Sequence, residues 1–509
     1  MGNKEKTESL QADIVVIGGG GSGLVAAVSA AEAGCKNIIV LEKSGRPGGN
    51  TYHGAVGMMA VDSPAQRRLG IKASKDQVFK EAMEAGKWTV DPKLVRAYIN
   101  KSGDMIGWFE SRGMKFKVDS KGPFSGGGRP PIGHGFTVRQ NGHKATKNEP
   151  DIGPGWVGST VVEAMLKDCD KYGIKVLTMT KAENLQTDEK GDICGVVAVA
   201  KDRVLHIKTK AVIMSAGGFG ANKEWLAKYY NIRGNFYTNS LGSLTGDGLK
   251  MAAEIDAFDD SNLGHPDFGL GLCHHPWSFS VHRLMTRPDM LLVNKNGERF
   301  MDESFMGGLG RQPGQICFAI VDTKTINEIK AKPGFLVGTE WKVEEDEGDI
   351  KGTEEDWVTN LDIDLEKESA EGKKTWKADT IEKLAQQIGA APEILKATVE
   401  RYNAFCDAGY DSECLKDKIF LKAIRVPPFY AILGRGFIDT TNGGINVNER
   451  MEALNKNKKV IKGFYATGDN TGGWVSRNYA HGGTSATWAF CSGFIAGENA
   501  AGYVLNGKR

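Results

Sequence analysis

Residues 12–51 read ADIVVIGGGGSGLVAAVSAAEAGCKNIIVLEKSGRPGGNT, which is an apolar strand, a glycine-rich turn, a small-residue helix and a second apolar strand. The turn carries the pattern Gly18-x-Gly20-x-x-Gly23, and the second strand ends at Glu42. Glycines at these positions permit a tight turn and let a pyrophosphate approach the N-terminus of the helix, while the acidic residue accepts hydrogen bonds from ribose hydroxyls. A glycine-rich loop alone is more often an ordinary turn. Because this one stands between a strand and a helix and is followed by Glu42, it predicts a dinucleotide-binding fold.

The length and charge of the chain limit the classes of protein to which it can belong. Its 509 residues predict two or three domains rather than a single core. Lys and Arg number 65 and Asp and Glu number 63, which leaves a net charge of +2. This balance argues against a polyanion-binding protein, so we expect no nucleic-acid partner. Glycine is abundant, with 66 residues, and no repeat explains the excess, which must therefore lie in motifs.

The cysteines and the apolar segments predict a cytoplasmic protein. The eight cysteines are scattered and none forms C-x-x-C, so we expect no iron–sulfur, zinc or other metal site within this chain. Isolated cysteines in a long chain are typical of a reducing compartment. The N-terminal residues are charged and lack the apolar core of a signal peptide. The longest apolar stretch, 14–33, is interrupted by glycines and is predicted to be a strand, a turn and a helix rather than a membrane span.

Two further glycine-rich segments indicate that the dinucleotide is FAD rather than NAD. The segment Gly48-Gly49-Asn50-Thr51 forms a second turn after Glu42 and suits an extended FAD. Near the C-terminus, GFYATGDNTGG contains a strand that leads to Gly468-Asp469, where an acidic group can hold the ribityl hydroxyls of a flavin. Another strand, within 211–222, closes on Gly217-Gly218 and is interpreted as the sheet returning toward the cofactor. Three unrelated glycine turns are the alternative interpretation.

These motifs, in this order, resemble those of the fumarate reductase/succinate dehydrogenase flavoprotein superfamily, which includes the 3-ketosteroid dehydrogenases. The resemblance also covers GSLTGDGLKMA (242–252), LLVNKNGERFMDES (291–304), TTNGGINVN (440–448) and GGTSATWAF (482–490). It implies an α/β fold in which both chain ends build a Rossmann-like FAD-binding domain and an α+β capping domain is inserted over the substrate site. The implied parts are 1–261 and 428–509 for the FAD-binding domain and 262–427 for the capping domain.

The resemblance implies contacts to FAD along all of these motifs. The positions expected to contact the cofactor are Gly18, Gly20, Gly21, Ser22, Gly23, Glu42, Lys43, Gly48, Gly49, Asn50, Thr51, Ala182, Ala216, Gly217, Gly218, Asp247, Gly468, Asp469, Ser485 and Ala486. In the fumarate-reducing branch, a histidine precedes the threonine of the second glycine-rich turn when flavin is covalently attached. Asn50 holds that position here, so noncovalent FAD is expected.

The positions that bind a dicarboxylate in the fumarate-reducing branch mostly differ in this chain. The proton-donating arginine corresponds to Gly307, the second histidine to Thr440 and the C-terminal arginine to Ala480. A site that has lost its arginines cannot offset the desolvation of two carboxylates. His265, in a His-Pro pair, is the remaining match. Fumarate is therefore disfavoured as a substrate, unless arginines such as Arg311 enter from other loops.

The pattern Tyr479-x-x-x-Gly483 instead resembles the 3-ketosteroid dehydrogenase branch, in which a tyrosine hydroxyl and a glycine N–H hold a ketone oxygen. Hydride transfer at the β-carbon of an α,β-unsaturated ketone places negative charge on that oxygen, and a phenol with a helix N-terminus stabilises it. We therefore expect Tyr479, Gly483 and His265 to act at the catalytic site. A tyrosine that only packs on FAD is the alternative for Tyr479.

The expected reaction is hydride transfer between flavin N5 and the C=C/CH–CH bond beside a carbonyl. The expected substrate is a bulky apolar enone, such as a 3-ketosteroid, or an aryl enoate. A small-acid reductase of the fumarate or urocanate type and a flavoprotein subunit of a larger electron-transfer complex are the alternatives. The sequence has no second nucleotide-binding fingerprint, so electrons are expected to pass to or from a separate partner or a diffusible carrier.

Overall fold

The computed structural model describes residues 6–55, 57–118, 142–145, 157–234, 236–238, 240–264, 268–270, 281, 284–285, 287–303, 308–331, 358–438, 440–475 and 483–507. Strands and helices are numbered in chain order. Four sheets are described, and two of them hold most of the buried core.

The largest described sheet has eight strands and joins segments from both ends of the chain. In order across the sheet they are β13 (Phe258–Leu263), β19 (Gly443–Val447), β20 (Glu452–Leu454), β21 (Val460–Ala466), β11 (Ala211–Met214), β2 (Ile14–Ile17), β3 (Ile38–Leu41) and β7 (Lys175–Leu177). From β21 to β7 every neighbouring pair is parallel. Strands β2, β3 and β11 are buried along their whole length, as expected for parallel strands that are covered on both faces. The predicted α/β fold class is confirmed.

The first and last described helices pack on each other against this sheet. They are α1 (Gly21–Glu32) and α13 (Thr484–Asn506). A β-carbon at Gly493 would lie 2.3 Å from the carbonyl oxygen of Ser22, and one at Gly497 would lie 2.3 Å from that of Ala26. No other residue type fits at that distance, so these two glycines of α13 allow its backbone to touch α1.

A four-stranded ribbon lies beside the central sheet. Its order is β1 (Lys6–Gln11), β10 (Arg203–Lys208), β9 (Ile193–Ala200) and β8 (Thr180–Thr187). Strand β8 follows β7 after a two-residue turn, and its Ala182 is buried. The ribbon therefore begins at the edge of the central sheet.

A second large sheet is built mainly from the middle of the chain. Its main path is β12 (Tyr237–Thr238), β18 (Phe429–Ile438), β16 (Ile316–Asp322) and β15 (Leu291–Asn294), while β14 (Phe268–Leu270) and β17 (Thr375–Ala378) also pair with β18. The helices of this region are α9 (Thr323–Ala331), α10 (Leu361–Glu371), α11 (Ile381–Ile388) and α12 (Pro392–Ala408). Strand β18 follows position 428, where the C-terminal FAD-binding part was expected to begin, yet its described partners belong to this sheet. The domain boundaries at 261–262 and 427–428 stay a prediction.

A smaller three-stranded sheet and several helices complete the described fold. The sheet has the order β4 (Met58–Met59), β6 (Gly142–Ala145) and β5 (Phe116–Val118). The remaining helices are α2 (Gly49–Gly54), α3 (Pro64–Arg68), α4 (Lys75–Ala85), α5 (Pro92–Glu110), α6 (Val157–Tyr172), α7 (Lys223–Tyr230) and α8 (Asp247–Glu254). Across the described ranges, none of the helices has the length and apolar character needed to cross a bilayer.

A network of buried charges holds the middle sheet to its helices. The guanidinium of Arg299 donates to both carboxylate oxygens of Glu303, at 3.0 and 2.9 Å, and lies 2.8 Å from Asp411. The ammonium of Lys416 lies 3.1 Å from Glu303 and donates to the hydroxyl of Tyr402 at 2.9 Å. Burial acts to raise the pKa of Glu303, but the charges of Lys416 and Arg299 outweigh it and lower that pKa. The carboxylate is therefore ionised in the folded protein at neutral pH.

Replacing Gly497 with alanine should destabilise the protein, because the added β-carbon would collide with the Ala26 carbonyl. We expect a loss of roughly 1–3 kcal/mol, which is the usual cost of forcing an extra carbon into a packed interior. Gly502 lies in the same helix, and no atom lies within 4 Å of its β-carbon position. Gly502→Ala is therefore the matched control and should stabilise by up to ~1 kcal/mol through helix propensity. Urea unfolding measures both variants, and equal shifts would contradict the helix contact.

Lys416→Met should destabilise the middle sheet by about 3–5 kcal/mol, because it leaves Glu303 buried with only part of its compensating charge. The exposed Lys418, two residues away, provides the matched control, and Lys418→Met should change stability by less than about 0.5 kcal/mol. The lowered pKa of Glu303 also fixes the sign of the pH dependence. Its contribution is present above the ordinary value of 4.5 and is lost as the pH falls below it. Calorimetry of both variants at two pH values measures these changes in stability. A Lys416→Met protein as stable as the wild type would contradict the role of Lys416 in compensating Glu303.

Candidate active site

A cleft lies where the parallel strands β2, β3, β11 and β21 end. Most of the predicted cofactor residues line it. Those that do are Gly18, Gly20, Gly21, Ser22, Glu42, Lys43, Gly49, Asn50, Thr51, Ala182, Ala216, Gly217, Asp247, Gly468 and Asp469. Gly23, Gly48, Gly218, Ser485 and Ala486 do not line it. The carboxyl ends of parallel strands are the usual position of a ligand crevice in an open α/β sheet.

The first glycine-rich turn is shaped by close backbone contacts on one side and open space on the other. Gly18 has a φ of 104°, and a β-carbon there would lie 2.3 Å from the carbonyl oxygen of Ser215. A β-carbon at Gly23 would lie 2.0 Å from the carbonyl oxygen of Gly18, which closes the turn onto α1. At Gly20 the nearest atom is 4.0 Å away, so the backbone is open toward the cleft at the N-terminus of α1. That cradle suits a pyrophosphate.

The carboxylate of Glu42 is held by two backbone N–H groups. One carboxylate oxygen accepts the N–H of Gly19 at 2.9 Å, and the other accepts the N–H of Ser44 at 2.7 Å. Its side chain lines the cleft although the residue is almost completely buried. These bonds fix the carboxylate between the glycine-rich turn and the end of β3, where it was expected to meet the ribose.

An ion pair closes the same end of the cleft. The ammonium of Lys43 lies 2.7 Å from one carboxylate oxygen of Asp247, and Thr245 donates to the other at 3.0 Å. Burial acts to raise the pKa of Asp247, but the hydrogen bond and charge of Lys43 outweigh it and lower that pKa. The pair joins the end of β3 to the start of α8, two segments that are far apart in the chain.

The second glycine-rich turn runs alongside the first. Gly48 and Gly49 have φ values of 128° and 54°, which favour glycine. The hydroxyl of Thr51 accepts the N–H of Gly21 at 3.3 Å. The side-chain oxygen of Asn50 accepts the N–H of Leu241 at 2.9 Å. Asn50, which occupies the position of the covalent histidine in the fumarate-reducing branch, therefore faces the cleft and holds the segment that leads away from β12.

The turns after β11 and β21 hold each other. Asn470 is completely buried, and its side chain bonds both the N–H and the carbonyl of Gly217, at 3.1 and 2.8 Å. Gly218 supports the site from behind, since a β-carbon there would lie 2.2 Å from the carbonyl oxygen of Thr441. One carboxylate oxygen of Asp469 accepts the hydroxyl of Thr440 at 2.6 Å. Thr440, which replaces the family's second histidine, is thus engaged with a residue of the cleft.

Gly483 begins the last helix. It has a φ of 80° and, as a glycine, offers no capping side chain of its own. A β-carbon at Gly483 would lie 2.9 Å from the α-carbon of Met58, and Thr487 donates to the carbonyl of Met59 at 2.6 Å, so β4 holds this end of the helix in place. Ser485 and Ala486 form the first turn of this helix. Tyr479 and His265 lie outside the described residues.

Arg311 and two tyrosines of the middle segment do not line the cleft. Tyr402 is 1% exposed, and its hydroxyl accepts a hydrogen bond from Lys416 inside the buried network. Tyr410 is 61% exposed. Arg311 is exposed on a 3₁₀ turn, Leu309–Arg311. None of the three lines the described cleft.

Several residues that line the cleft were not predicted from the sequence, although some of them lie next to predicted cofactor residues. They are Ile17, Leu41, Ser44, Arg46, Thr180, Lys181, Ser215, Leu241, Ser243, Leu244, Met251 and Ala489. Arg46 lies two residues before the second glycine-rich turn, and Thr180 and Lys181 directly precede Ala182 on β8. Nothing in the local sequence marked Leu241, whose N–H is bonded to Asn50.

The cleft has the elements that a bound FAD requires: an open glycine cradle at a helix N-terminus, a carboxylate at the end of the second strand and a second carboxylate, Asp469, at the far side. The fold and site therefore define a dinucleotide-binding oxidoreductase. Residues 13–486 match the FAD binding domain family, and the chain belongs to that family. It is an FAD-dependent oxidoreductase that acts on CH–CH bonds, and the predicted superfamily and cofactor are confirmed.

The similarity to known proteins extends over almost the whole chain. A vinyl phenol reductase of Lactiplantibacillus plantarum is 29% identical over 97% of each chain. A probable fumarate reductase, Ifc3, of Shewanella frigidimarina is 27% identical over 97% of this chain and 75% of its own. Among solved structures, the open conformation of a flavocytochrome c3 fumarate reductase matches 97% of this chain and 79% of its own, with a TM-score of 0.71 and 25% identity. The 3-ketosteroid-Δ4-(5α)-dehydrogenase of Rhodococcus jostii RHA1 matches 97% of each chain, with a TM-score of 0.69 and 23% identity, which supports the fold.

Lys43→Met should weaken FAD binding, because it removes the ion pair with Asp247, the largest charge compensation of that carboxylate beside the cleft. Since both side chains keep some solvent contact, we expect the dissociation constant to rise only roughly threefold to tenfold. The exposed Lys36, which precedes β3, provides the control Lys36→Met. Titration of the apoprotein with FAD, followed by flavin fluorescence, gives both constants. Equal constants for the two variants would show that the ion pair does not support the cofactor.

Proposed function

We propose that this protein transfers hydride between noncovalently bound FAD and the C=C/CH–CH bond beside a carbonyl, in a bulky apolar enone or an aryl enoate. The observation that carries the proposal is the helix that begins at Gly483. Its N-terminal end is fixed against β4, and the helix dipole favours an atom that becomes negative at that end. A carbonyl oxygen becomes negative when hydride enters or leaves the β-carbon.

Tyr479 and Gly483 would hold that carbonyl oxygen. The phenol donates one hydrogen bond and the backbone N–H of the glycine donates the other, which together form an oxyanion hole. FAD, when bound, supplies hydride transfer at flavin N5. His265 would orient the substrate from the middle segment. The residue that exchanges the α-carbon proton is not assigned.

Two observations favour an apolar or aromatic substrate over a dicarboxylate. The hydroxyl of Thr440, at the position of a substrate-binding histidine, is bonded to Asp469, and Arg311 is exposed on its turn. The vinyl phenol reductase that matches 97% of this chain is named for a substrate with an aromatic ring and a carbon–carbon double bond. The fumarate reductase relatives support the second candidate, a small-acid reductase whose arginines enter from other loops.

The electron partner and the location belong to the same proposal. We expect a separate protein or diffusible carrier to exchange electrons with the flavin. A cytoplasmic location, inferred from the scattered cysteines, stays a prediction.

Tyr479→Phe should lower the rate of flavin reoxidation by an enone about 10²–10³-fold, the usual effect of removing one oxyanion donor. The holoprotein is photoreduced without oxygen, and its visible spectrum is followed as acceptors are added. The acceptors are a 3-keto-4-ene steroid, a cinnamate, a vinylphenol, urocanate and fumarate. Tyr410→Phe, at an exposed position, is the control and should keep the wild-type rate.

The identity of the productive acceptor separates the two candidates. Reoxidation by the steroid or the cinnamate, lost in Tyr479→Phe alone, supports the proposal. Reoxidation by fumarate or urocanate alone, at a rate that Tyr479→Phe leaves unchanged, would exclude it and favour the small-acid reductase.

A further inference from the structure

Asp469 is the side chain of its turn that lines the FAD cleft, and both of its neighbours are fixed by buried bonds. The N–H of Gly468 donates to the hydroxyl of Ser492 at 3.1 Å. The side-chain amide of Asn470 accepts the N–H of Gly217 and donates to the carbonyl of Gly217. The backbone of this 3₁₀ turn, Gly468–Asn470, is therefore held firmly. The direction of the Asp469 carboxylate then depends on the groups that are bonded to it.

Thr440 sets that direction from a different segment of the chain. Its hydroxyl donates to one carboxylate oxygen of Asp469 at 2.6 Å, a distance typical of a hydroxyl bonded to an anion. Thr440 lies in the short connection between β18, in the middle sheet, and β19, in the central sheet. The next two residues fix this connection, since Thr441 accepts the N–H of Phe219 at 2.7 Å and Asn442 accepts the N–H of Gly264 at 2.9 Å.

We propose that Thr440 is a cofactor-positioning residue, which aims the carboxylate of Asp469 at bound FAD, and not a substrate-binding residue. A hydroxyl suits this purpose because it carries no charge. Unlike the ammonium of Lys43 on Asp247, it orients the carboxylate without adding a positive charge. The oriented carboxylate can accept hydrogen bonds from the cofactor, and its negative charge opposes the uptake of electrons.

The matched variants are Thr440→Val and Thr440→Ser. Valine keeps the β-branched shape and removes the donor, whereas serine keeps the donor. In Thr440→Val the FAD dissociation constant should rise roughly tenfold, the change expected for one hydrogen bond to a charged group. The midpoint potential of the bound flavin should also rise, because a loosely held carboxylate opposes reduction less. Thr440→Ser should stay within about twofold of the wild-type constant.

Both quantities are measured on reconstituted holoprotein without any substrate, so they do not depend on the enone chemistry proposed above. The same substitution is also made in Asp469→Ala, where Thr440→Val should have no further effect on affinity. If Thr440→Val weakened FAD binding to the same extent in the Asp469→Ala background, the proposal would be overturned. An unchanged FAD affinity or midpoint potential in Thr440→Val alone would also overturn it, and so would an equal loss of affinity in Thr440→Ser. If Asp469→Ala binds no FAD, the comparison of valine with serine decides alone. A lowered melting temperature with unchanged FAD affinity and potential would assign Thr440 a structural role and would also overturn the proposal.

Discussion

The contact between the first and last helices is the constraint on which the rest of this structure depends. Gly493 rests on the carbonyl of Ser22, and a β-carbon at Gly468 would lie 2.8 Å from the hydroxyl of the same serine. Ser492, adjacent to Gly493, accepts the N–H of Gly468. One short stretch of α13 therefore places the turn after β21 against the glycine-rich turn before α1. Without that approach the two halves of the FAD cleft would not face each other.

Local patterns were sufficient to predict the glycine-rich turns and Glu42, because each of these parts is encoded by a few consecutive residues. A strand, a glycine turn and an acidic residue must follow one another closely in any fold that holds a pyrophosphate in this way, and Gly18 to Glu42 do so. The ion pair between Lys43 and Asp247 and the bond between Thr440 and Asp469 could not be predicted as pairs. Each joins segments that are separated in the sequence and become neighbours only in the folded protein. Neither segment contains a pattern that identifies the other.

The motif around Arg299 and Glu303 shows a different limit. In sequence it contributed only to the resemblance to the superfamily. In the structure both residues belong to a buried network with Asp411 and Lys416, which lie beyond α12. Strand β18 was similarly grouped with the C-terminal part, because the partner of a strand is not encoded in its own residues. The assignment of Tyr479 and His265 as catalytic residues rests on the sequence.

The arrangement of the central sheet has a consequence for biosynthesis. The hydroxyl of Ser29 donates to the carbonyl of Phe494 at 2.9 Å, across almost the entire length of the chain. A ribosome releases the glycine-rich turn long before β21 and α13, and domains generally fold as units. Until those later elements have emerged, the nascent segment that holds the glycine-rich turn lacks one wall of its nucleotide cleft. FAD therefore meets its complete cleft only after β21 and α13 have been synthesised and packed against α1.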